Sequence, residues 1–376
     1  MSKWQQVKLG DIACNIQTGP FGSQLHQSDY SETGTPVVMP KDLVEGKISE
    51  QSIARVEASH IERLAKHKIQ NGDILYSRRG DVGRCAYAGK KETGWLCGTG
   101  CLRVTIDESH ALPKFIFYQL QTSQSVGWVE KHAVGSTMLN LNTSILSNIP
   151  ILLPPIEVQR KIADVLSAYD DLIENNRKQI KLLEEAAQRL YKEWFIDLRF
   201  PGHETTPIIN GVPDGWKKTL LGNLIEIKYG KDHKNIPDGN IPVYGSGGFM
   251  RKCSQALHQG EAVLIPRKGS LNNIMYVNET FWTVDTMFYA LMKQQDVGFF
   301  VYFLLKSFDM YKMNIGAAVP SMTTSILNAI DVVLPSAIIL EDFHRNVNAL
   351  FKRILTLNKQ NDKLMETRNR LLTKLL

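Results

Sequence analysis

A chain of 376 residues, 43% hydrophobic, is long enough for two domains with connecting segments. It has no apolar run of membrane-spanning length and no charged-then-apolar leader, which excludes a membrane-spanning or secreted reading. The +6 net charge is thinly shared, with 16 basic against 14 acidic groups in residues 1–154 and 13 against 11 in residues 199–335, so any nucleic-acid surface has to be local and shaped.

In chain order, the first arm opens with Trp4-Gln-Gln-Val-Lys-Leu9-Gly10-Asp11. Short β-branched and aromatic runs follow, punctuated by Gly, Asn and Pro, as in a mixed α+β domain with a twisted, mostly antiparallel sheet. The Gly-rich stretch Thr18-Gly19-Pro20-Phe21-Gly22-Ser23-Gln24 reads as an exposed loop. Next comes Asn71-Gly72-Asp73-Ile-Leu75-Tyr-Ser-Arg78-Arg79-Gly80, a strand ending in a basic tip. Cys97-Gly-Thr-Gly-Cys101 lacks a second ligand pair, so the five cysteines read as reduced thiols rather than a zinc site. Phe115-Ile-Phe-Tyr118-Gln-Leu120 predicts a short amphipathic helix. Gly135 then leads through Ser136-Thr137 to Thr143-Ser144-Ile145-Leu146 and Leu153-Pro154-Pro155, and a helix with no internal Gly or Pro occupies residues 155–198.

After a linker rich in turn residues (Pro201-Gly202, Pro207, Pro213-Asp-Gly), most of this is said again. Trp216-Lys-Lys-Thr-Leu-Leu221-Gly222-Asn223 opens a second arm. Lys228-Tyr229-Gly230-Lys231-Asp232-His233-Lys234 takes the place of the first loop, and Gln259-Gly260-Glu261 runs to a basic tip at Arg267-Lys268-Gly269-Ser270. Phe299-Phe-Val-Tyr302-Phe-Leu304 matches the short helix. Residues 135–194 and 316–375 align without a gap at an offset of 181. The duplication divides the chain into arm one (1–154), a first long helix (155–198), linker and arm two (199–335), and a second long helix (336–376).

The helices carry a seven-residue apolar period, the mark of a coiled-coil seam. The first seam is Ile162, Leu166, Tyr169, Ile173, Asn176, Ile180, Leu183, Ala187, Leu190 and Trp194; the second is Phe343, Val347, Leu350, Ile354, Leu357, Asn361, Leu364, Arg368, Leu371 and Leu375. Run in opposite directions, every pair joins an a to a d position, Ile162 meets Leu375, and Asn176 meets Asn361. A parallel register would strand each amide against an apolar side chain, at about 1–3 kcal/mol. Charge agrees, because residues 155–198 carry 7 basic and 9 acidic groups and residues 336–376 carry 8 and 4. Each helix should be roughly 60 Å long at 1.5 Å per residue.

These motifs together (W-x4-LG-[DN], G-D-[IV]-L with a basic tip, T-S-I-L before L-P-P, and a terminal long helix, all twice) resemble the specificity subunit of a type I restriction-modification system. Leu153-Pro154-Pro155-Ile-Glu-Val-Gln159-Arg-Lys-Ile162 is the most specific stretch, and the second copy departs from it with Leu334-Pro335-Ser336 and Leu340. The resemblance implies two target recognition domains, each reading half of a bipartite sequence in double-stranded DNA, with the antiparallel helical pair fixing the spacer. It implies two methyltransferase subunits as partners, nuclease-translocase subunits recruited through them, no membrane, a prokaryotic cytoplasm, and no catalysis by this chain. S-adenosylmethionine, ATP and magnesium are then expected only in the partner subunits.

The residues themselves agree on chemistry. There is no phosphate-binding G-x-x-x-x-G-K-[ST] loop. The Pro154-Pro155 pair follows Leu-Leu and lacks the Asn/Asp-Pro-Pro-aromatic context that grips a flipped adenine. The nine histidines lack metal-ligand spacing. The DNA-facing candidates are Thr18, Gly19, Phe21, Ser23, Gln24, Arg78 and Arg79 in arm one. In arm two they are Lys228, Tyr229, Lys231, His233, Lys234, Arg267, Lys268, Ser270 and Asn272. Arg and Lys can grip guanine or phosphate, and Gln24 or Asn272 can read adenine edges; sequence alone leaves base and phosphate roles open. Gly135 and Gly316 shape either DNA-side loops or plain turns. The alternatives are a stand-alone two-site DNA-binding regulator and the recognition part of a fused nuclease-methyltransferase.

Overall fold

The computed structural model describes residues 4–135, 139–314, 316 and 319–376. Ser136, Thr137, Ala317 and Ala318, expected to shape the loops after Gly135 and Gly316, lie outside the described residues. The chain divides into two units: residues 1–175 with 360–376, and residues 176–359.

In the first unit the opening motif becomes a strand, Gln5–Lys8, antiparallel to Pro150–Leu153. The latter strand runs straight into the first long helix, Ile156–Tyr191. Leu9-Gly10-Asp11 is a one-turn 3-10 helix whose Leu9 N–H donates to the Ile149 carbonyl at 2.9 Å. A methyl group on Gly10 would sit 3.0 Å from the Cβ of Ser147, the end of the Thr143–Ser147 helix, so glycine permits that close approach. The Asn142 side chain caps that helix by accepting from Ile145 N–H at 2.8 Å.

Two four-stranded sheets form the body of this arm. One runs Ala13–Thr18, Cys101–Ile106, Ile74–Ser77, Cys85–Tyr87, all antiparallel. The other runs Leu96–Cys97, Thr35–Val38, Ala54–Val56, Tyr30–Ser31, with only the first pair parallel. Helix Pro113–Leu120 buries Phe115 to Leu120. Arg103 ties the region between the sheets together, donating to the Lys66 and Lys68 carbonyls and lying 3.5 Å from the fully buried Asp73.

The second unit repeats the frame. Lys217–Leu220 pairs antiparallel with Asp331–Leu334, which leads to the second long helix, Ala337–Leu375. Leu221 N–H donates to the Ile330 carbonyl at 2.8 Å, and a methyl on Gly222 would meet the Asn328 Cβ at 3.0 Å. Between these lies one six-stranded sheet: Ile225–Tyr229, Met287–Met292, His258–Pro266, Met275–Thr283, Ile241–Gly245, Gly248–Cys253. Its only parallel neighbours are Ile241–Gly245 and Met275–Thr283.

The fold is α+β, with two related domains, mostly antiparallel sheets and long helices that run antiparallel where they pack. In the first unit Leu371, Leu372 and Leu375 pack on the cluster holding Ile162 and Leu166. In the second, Ala187, Tyr191 and Trp194 pack with Phe343 and Val347, and the Trp194 and Phe343 rings lie 5.9 Å apart. Ile173, Asn176, Ile354, Leu357 and Asn361 are buried; Ile180, Leu183, Leu190, Leu350, Leu364 and Leu371 are half-buried.

One local expectation needs correction. Helix Gly298–Ser307 is not amphipathic: six of its ten residues are buried, because it lies between the sheet (Phe299 stacks on Tyr276 at 4.2 Å) and the second long helix (Phe299 to Phe351, 4.8 Å). The matching Pro113–Leu120 helix is likewise buried along its last six residues. The first long helix ends at a π-helical turn, Lys192–Ile196, and Leu198 adopts φ 55, so the chain leaves the helix before the linker prolines. Cysteines 85, 97, 101 and 253 are buried and free, and burial pushes the Cys85 and Cys97 thiols up to about 12; Cys14 is exposed.

Candidate nucleic-acid interface

At one end of each arm's sheet, four segments meet through matching backbone hydrogen bonds. The first segment leaves the opening sheet strand. Gly19 N–H donates to the Cys101 carbonyl at 2.9 Å, and Gly230 N–H to the Met287 carbonyl at 3.0 Å. A methyl on Gly19 would lie 2.0 Å from the Gly98 oxygen, and one on Gly230 would lie 1.9 Å from the Val284 oxygen. Both glycines therefore serve close backbone approach. The bonds also set the true register: Gly19 matches Gly230, so Thr18 answers to Tyr229, not to Lys228.

The second segment is the basic tip. Arg78 N–H donates to the Gly100 carbonyl at 2.7 Å, and Arg267 N–H to the Thr286 carbonyl at 2.8 Å. The third is the turn each tip docks on, residues 97–101 and 283–287. The fourth precedes the capped short helix. Leu141 N–H donates to the Arg78 carbonyl at 2.8 Å, and Met322 N–H to the Arg267 carbonyl at 2.9 Å. Gly80 N–H reaches the Leu139 carbonyl at 3.1 Å, and Gly269 N–H the Pro320 carbonyl at 3.2 Å. Arg78 and Arg267 thus occupy equivalent places.

The side chains on this shared frame differ. In arm one Phe21 and Arg79 are exposed, Gln24 is half-buried, and Arg78 is half-buried with its Nε making no hydrogen bond to any described residue. Thr99 holds the Thr18–Gln24 loop by donating from its hydroxyl to the Pro20 carbonyl at 2.8 Å. Gln24 turns inward, its Oε1 accepting from Phe21 N–H at 3.4 Å, while its carbonyl accepts from Arg63 at 2.7 Å. Ser23 lies in the 3-10 turn Gly22–Gln24, with its side chain outside the described residues.

In arm two the Arg267 guanidinium lies 5.6 Å over the Tyr229 ring and donates to the Asp285 carbonyl at 3.1 Å. Tyr229 rests edge-on against Phe288 at 5.0 Å. Tyr229, Lys231, Lys268, Ser270 and Tyr311 are exposed. The Tyr311 hydroxyl donates to the Gly269 carbonyl at 3.3 Å. Asn314 Oδ1 accepts from Gly316 N–H (2.8 Å) and Ser321 N–H (2.7 Å), which explains Gly316 as part of an asparagine-held turn.

Other candidates are engaged elsewhere. Lys228 pairs with Glu226, which raises the lysine pKa. His233 belongs to a loop organised by Arg251, whose Nε lies 3.1 Å from His233 Nδ1 and whose NH2 donates to the Ile236 carbonyl at 2.8 Å. Lys234 N–H donates to Asp232 Oδ1 at 3.1 Å in the same loop. The Asn272 amide donates to Asp309 at 3.2 Å and accepts from Met310 N–H at 2.8 Å, so it holds the tip in place and is not free to read a base edge.

Sequence reasoning missed Thr99, Tyr311 and Asn314. Thr99 stood inside the Cys97–Cys101 stretch weighed only as a metal motif, and Asn314 stood two residues before the repeated Gly316, a local signal for an Asx-held turn. Among the described residues, no group of three His, Cys, Asp or Glu side chains is placed to hold a metal. No described helix is long and apolar enough to cross a membrane.

The family model described as type I restriction modification DNA specificity domain matches residues 1–185 and 213–363. The type I restriction enzyme MjaIX specificity subunit of Methanocaldococcus jannaschii is 26% identical, over 99% of this chain and 92% of that protein. The HindI specificity subunit of Haemophilus influenzae is 21% identical, over 100% and 99% respectively. The crystal structure of a type I restriction-modification S subunit from M. genitalium shares the fold, with a TM-score of 0.62 at 18% identity over 99% of this chain and 96% of that one.

Proposed function

The chain belongs to the type I restriction-modification DNA specificity family, and on that premise we propose how it divides the reading of DNA. Each arm, residues 1–154 and 199–335, reads one half of a bipartite target with the end of its sheet where four segments meet. The helical pair sets the unread spacer between the halves. The observation that carries this is the matched backbone frame around Arg78 and Arg267, which offers one arginine in the same place in each arm on differing surroundings. A shared frame with different side chains is what two readers of two different half-sites require.

The chain supplies address and no chemistry. Two methyltransferase subunits act where it binds, and nuclease-translocase subunits join through them, in a prokaryotic cytoplasm. S-adenosylmethionine, ATP and magnesium belong to those partners. Arg79 and Lys268, exposed beside the half-buried Arg78 and Arg267, suit phosphate contacts that fix position, whereas Arg78 and Arg267 suit base edges.

Methylation-aware sequencing of DNA from cells producing the complex tests the division. Arg78→Ala with Arg79→Ala should degrade one half of the methylated motif and leave the other intact; Arg267→Ala with Lys268→Ala should do the reverse. Equal degradation of both halves by either pair would overturn the two-reader model.

A further inference from the structure

The two places where a long helix meets an arm are built from different chemistry at equivalent positions. In the first unit the Tyr118 hydroxyl donates to Asp170 Oδ2 at 2.6 Å, and Arg368 donates to Asp170 Oδ1 at 2.7 Å. The Asp170 and Arg368 side chains are only 14% and 20% exposed. At the 181-residue offset Asp170 corresponds to Phe351 and Arg368 to Ala187, while Tyr118 corresponds to Tyr302 in the matched short helix. In the second unit that trio is apolar: Ala187 is fully buried and the Tyr302 ring meets Phe351 edge-on at 6.0 Å.

We propose that this asymmetry is a pairing code: the first half of the chain (arm one with the first helix) accepts the second half and rejects a copy of itself. Duplicated halves with antiparallel helices are geometrically able to pair with their own kind. In a pair of first halves each Asp170 would face Ala187, keeping Tyr118 and the nearby charge of Lys114 but losing the arginine that pairs with it. In a pair of second halves each Arg368 would face Phe351 with no carboxylate. Leaving one member of a partly buried ion pair without its partner is far costlier than the pair itself is stabilising. The sequence register carries the same rule at the seam: self-pairs would set Asn176 against Ile180 and Asn361 against Leu357. The code makes each half close on the other half of its own chain and not on the like half of a second chain, whatever each one reads.

The test uses the full chain with a protease site inserted after the exposed Thr205, cut after folding. A light and an isotopically heavy batch are mixed, dissociated in denaturant, allowed to re-associate, and weighed by native mass spectrometry. Mixed pairs of 1–205 with 206–376 should exceed self-pairs by roughly tenfold or more; self-pairs in statistical proportion would overturn the code. In the uncut chain, Asp170→Arg should lower the melting temperature, and Arg368→Asp added to it should restore part of the loss. Additive losses would show that the pair is not coupled and overturn the proposal. The cut Asp170→Arg/Arg368→Asp protein should also exchange poorly with cut wild-type halves, an orthogonality that a merely structural ion pair would not produce.

Discussion

The ends of the two arms agree in backbone and differ in side chain. Gly19 and Gly230 make the same bond to the strand beside them, and Arg78 and Arg267 accept the same bond from the segment before the capped helix. On that frame arm one displays Phe21 and Arg79, whereas arm two stacks Arg267 on Tyr229 and props the tip with Tyr311 and Asn272. Apart from the glycine each close approach requires, the frame is fixed by backbone groups, so the other side chains can change while the place from which they act stays put.

The largest effect should come from moving the two ends relative to their target. Deleting Ile173–Gln179 with Ile354–Gln360, and changing Asn361→Leu so that no amide is stranded, keeps the seven-residue phase and shortens the helices by roughly 10 Å. Gel shifts with the methyltransferase subunits present should show loss of the original target; unchanged affinity would mean that something other than the helices sets the distance.

A smaller effect should follow from breaking the frame in one arm. Gly19→Ala or Gly230→Ala puts a methyl about 2 Å from a carbonyl oxygen, which should cost about 1–3 kcal/mol through forced backbone movement. Thermal unfolding should show it, and each change should weaken only its own half-site. If both half-sites weaken together, the arms are not independent.

Smaller still is the loss of a single side chain. Arg267→Ala should cost about 1–3 kcal/mol at one base pair if it reads a base; a phosphate contact would instead weaken all sequences evenly and reduce the salt slope. Tyr229→Ala should cost about 0.5–1 kcal/mol through Arg267 alone. The double variant should then be no worse than Arg267→Ala, and additivity would separate the two residues.

The smallest effect is a pH dependence confined to arm one. Burial, with Lys66 second, holds the His67 pKa below its ordinary value of 6.5. The unfolded chain therefore takes up the proton first, so the stability due to neutral His67 is present above pH 6.5 and is lost as the pH falls below it. His67→Gln should flatten the loss of stability as the pH falls below 6.5, as followed by thermal unfolding. An unchanged slope would assign the acid sensitivity to other groups.

The duplication, both long helices and their antiparallel sense were legible because helices announce themselves by local period, and a repeat needs only one alignment. The repeated Thr-Ser-Ile-Leu string was legible too, but not that it forms the capped helices Thr143–Ser147 and Thr324–Asn328. The matching of the arm ends was not. It rests on hydrogen bonds between segments far apart in sequence, such as Gly19 to Cys101, and no short window contains both partners. Asn272 looked like a free reader because its partners, Asp309 and Met310, lie nearly forty residues away. The helix Gly298–Ser307 looked amphipathic because its second apolar face is required only once Phe351 of the long helix covers it.

Each arm begins and ends on one pair of adjoining strands: Gln5–Lys8 with Pro150–Leu153, and Lys217–Leu220 with Asp331–Leu334. Everything between those strands is a closed excursion of the chain. Insertions, deletions or wholesale replacement inside it leave the starting point of the following helix unmoved, provided the strand pair still zips. Such a layout lets a lineage acquire a new reading head by recombining at two short, structurally undemanding joints, without redesigning the scaffold that carries it.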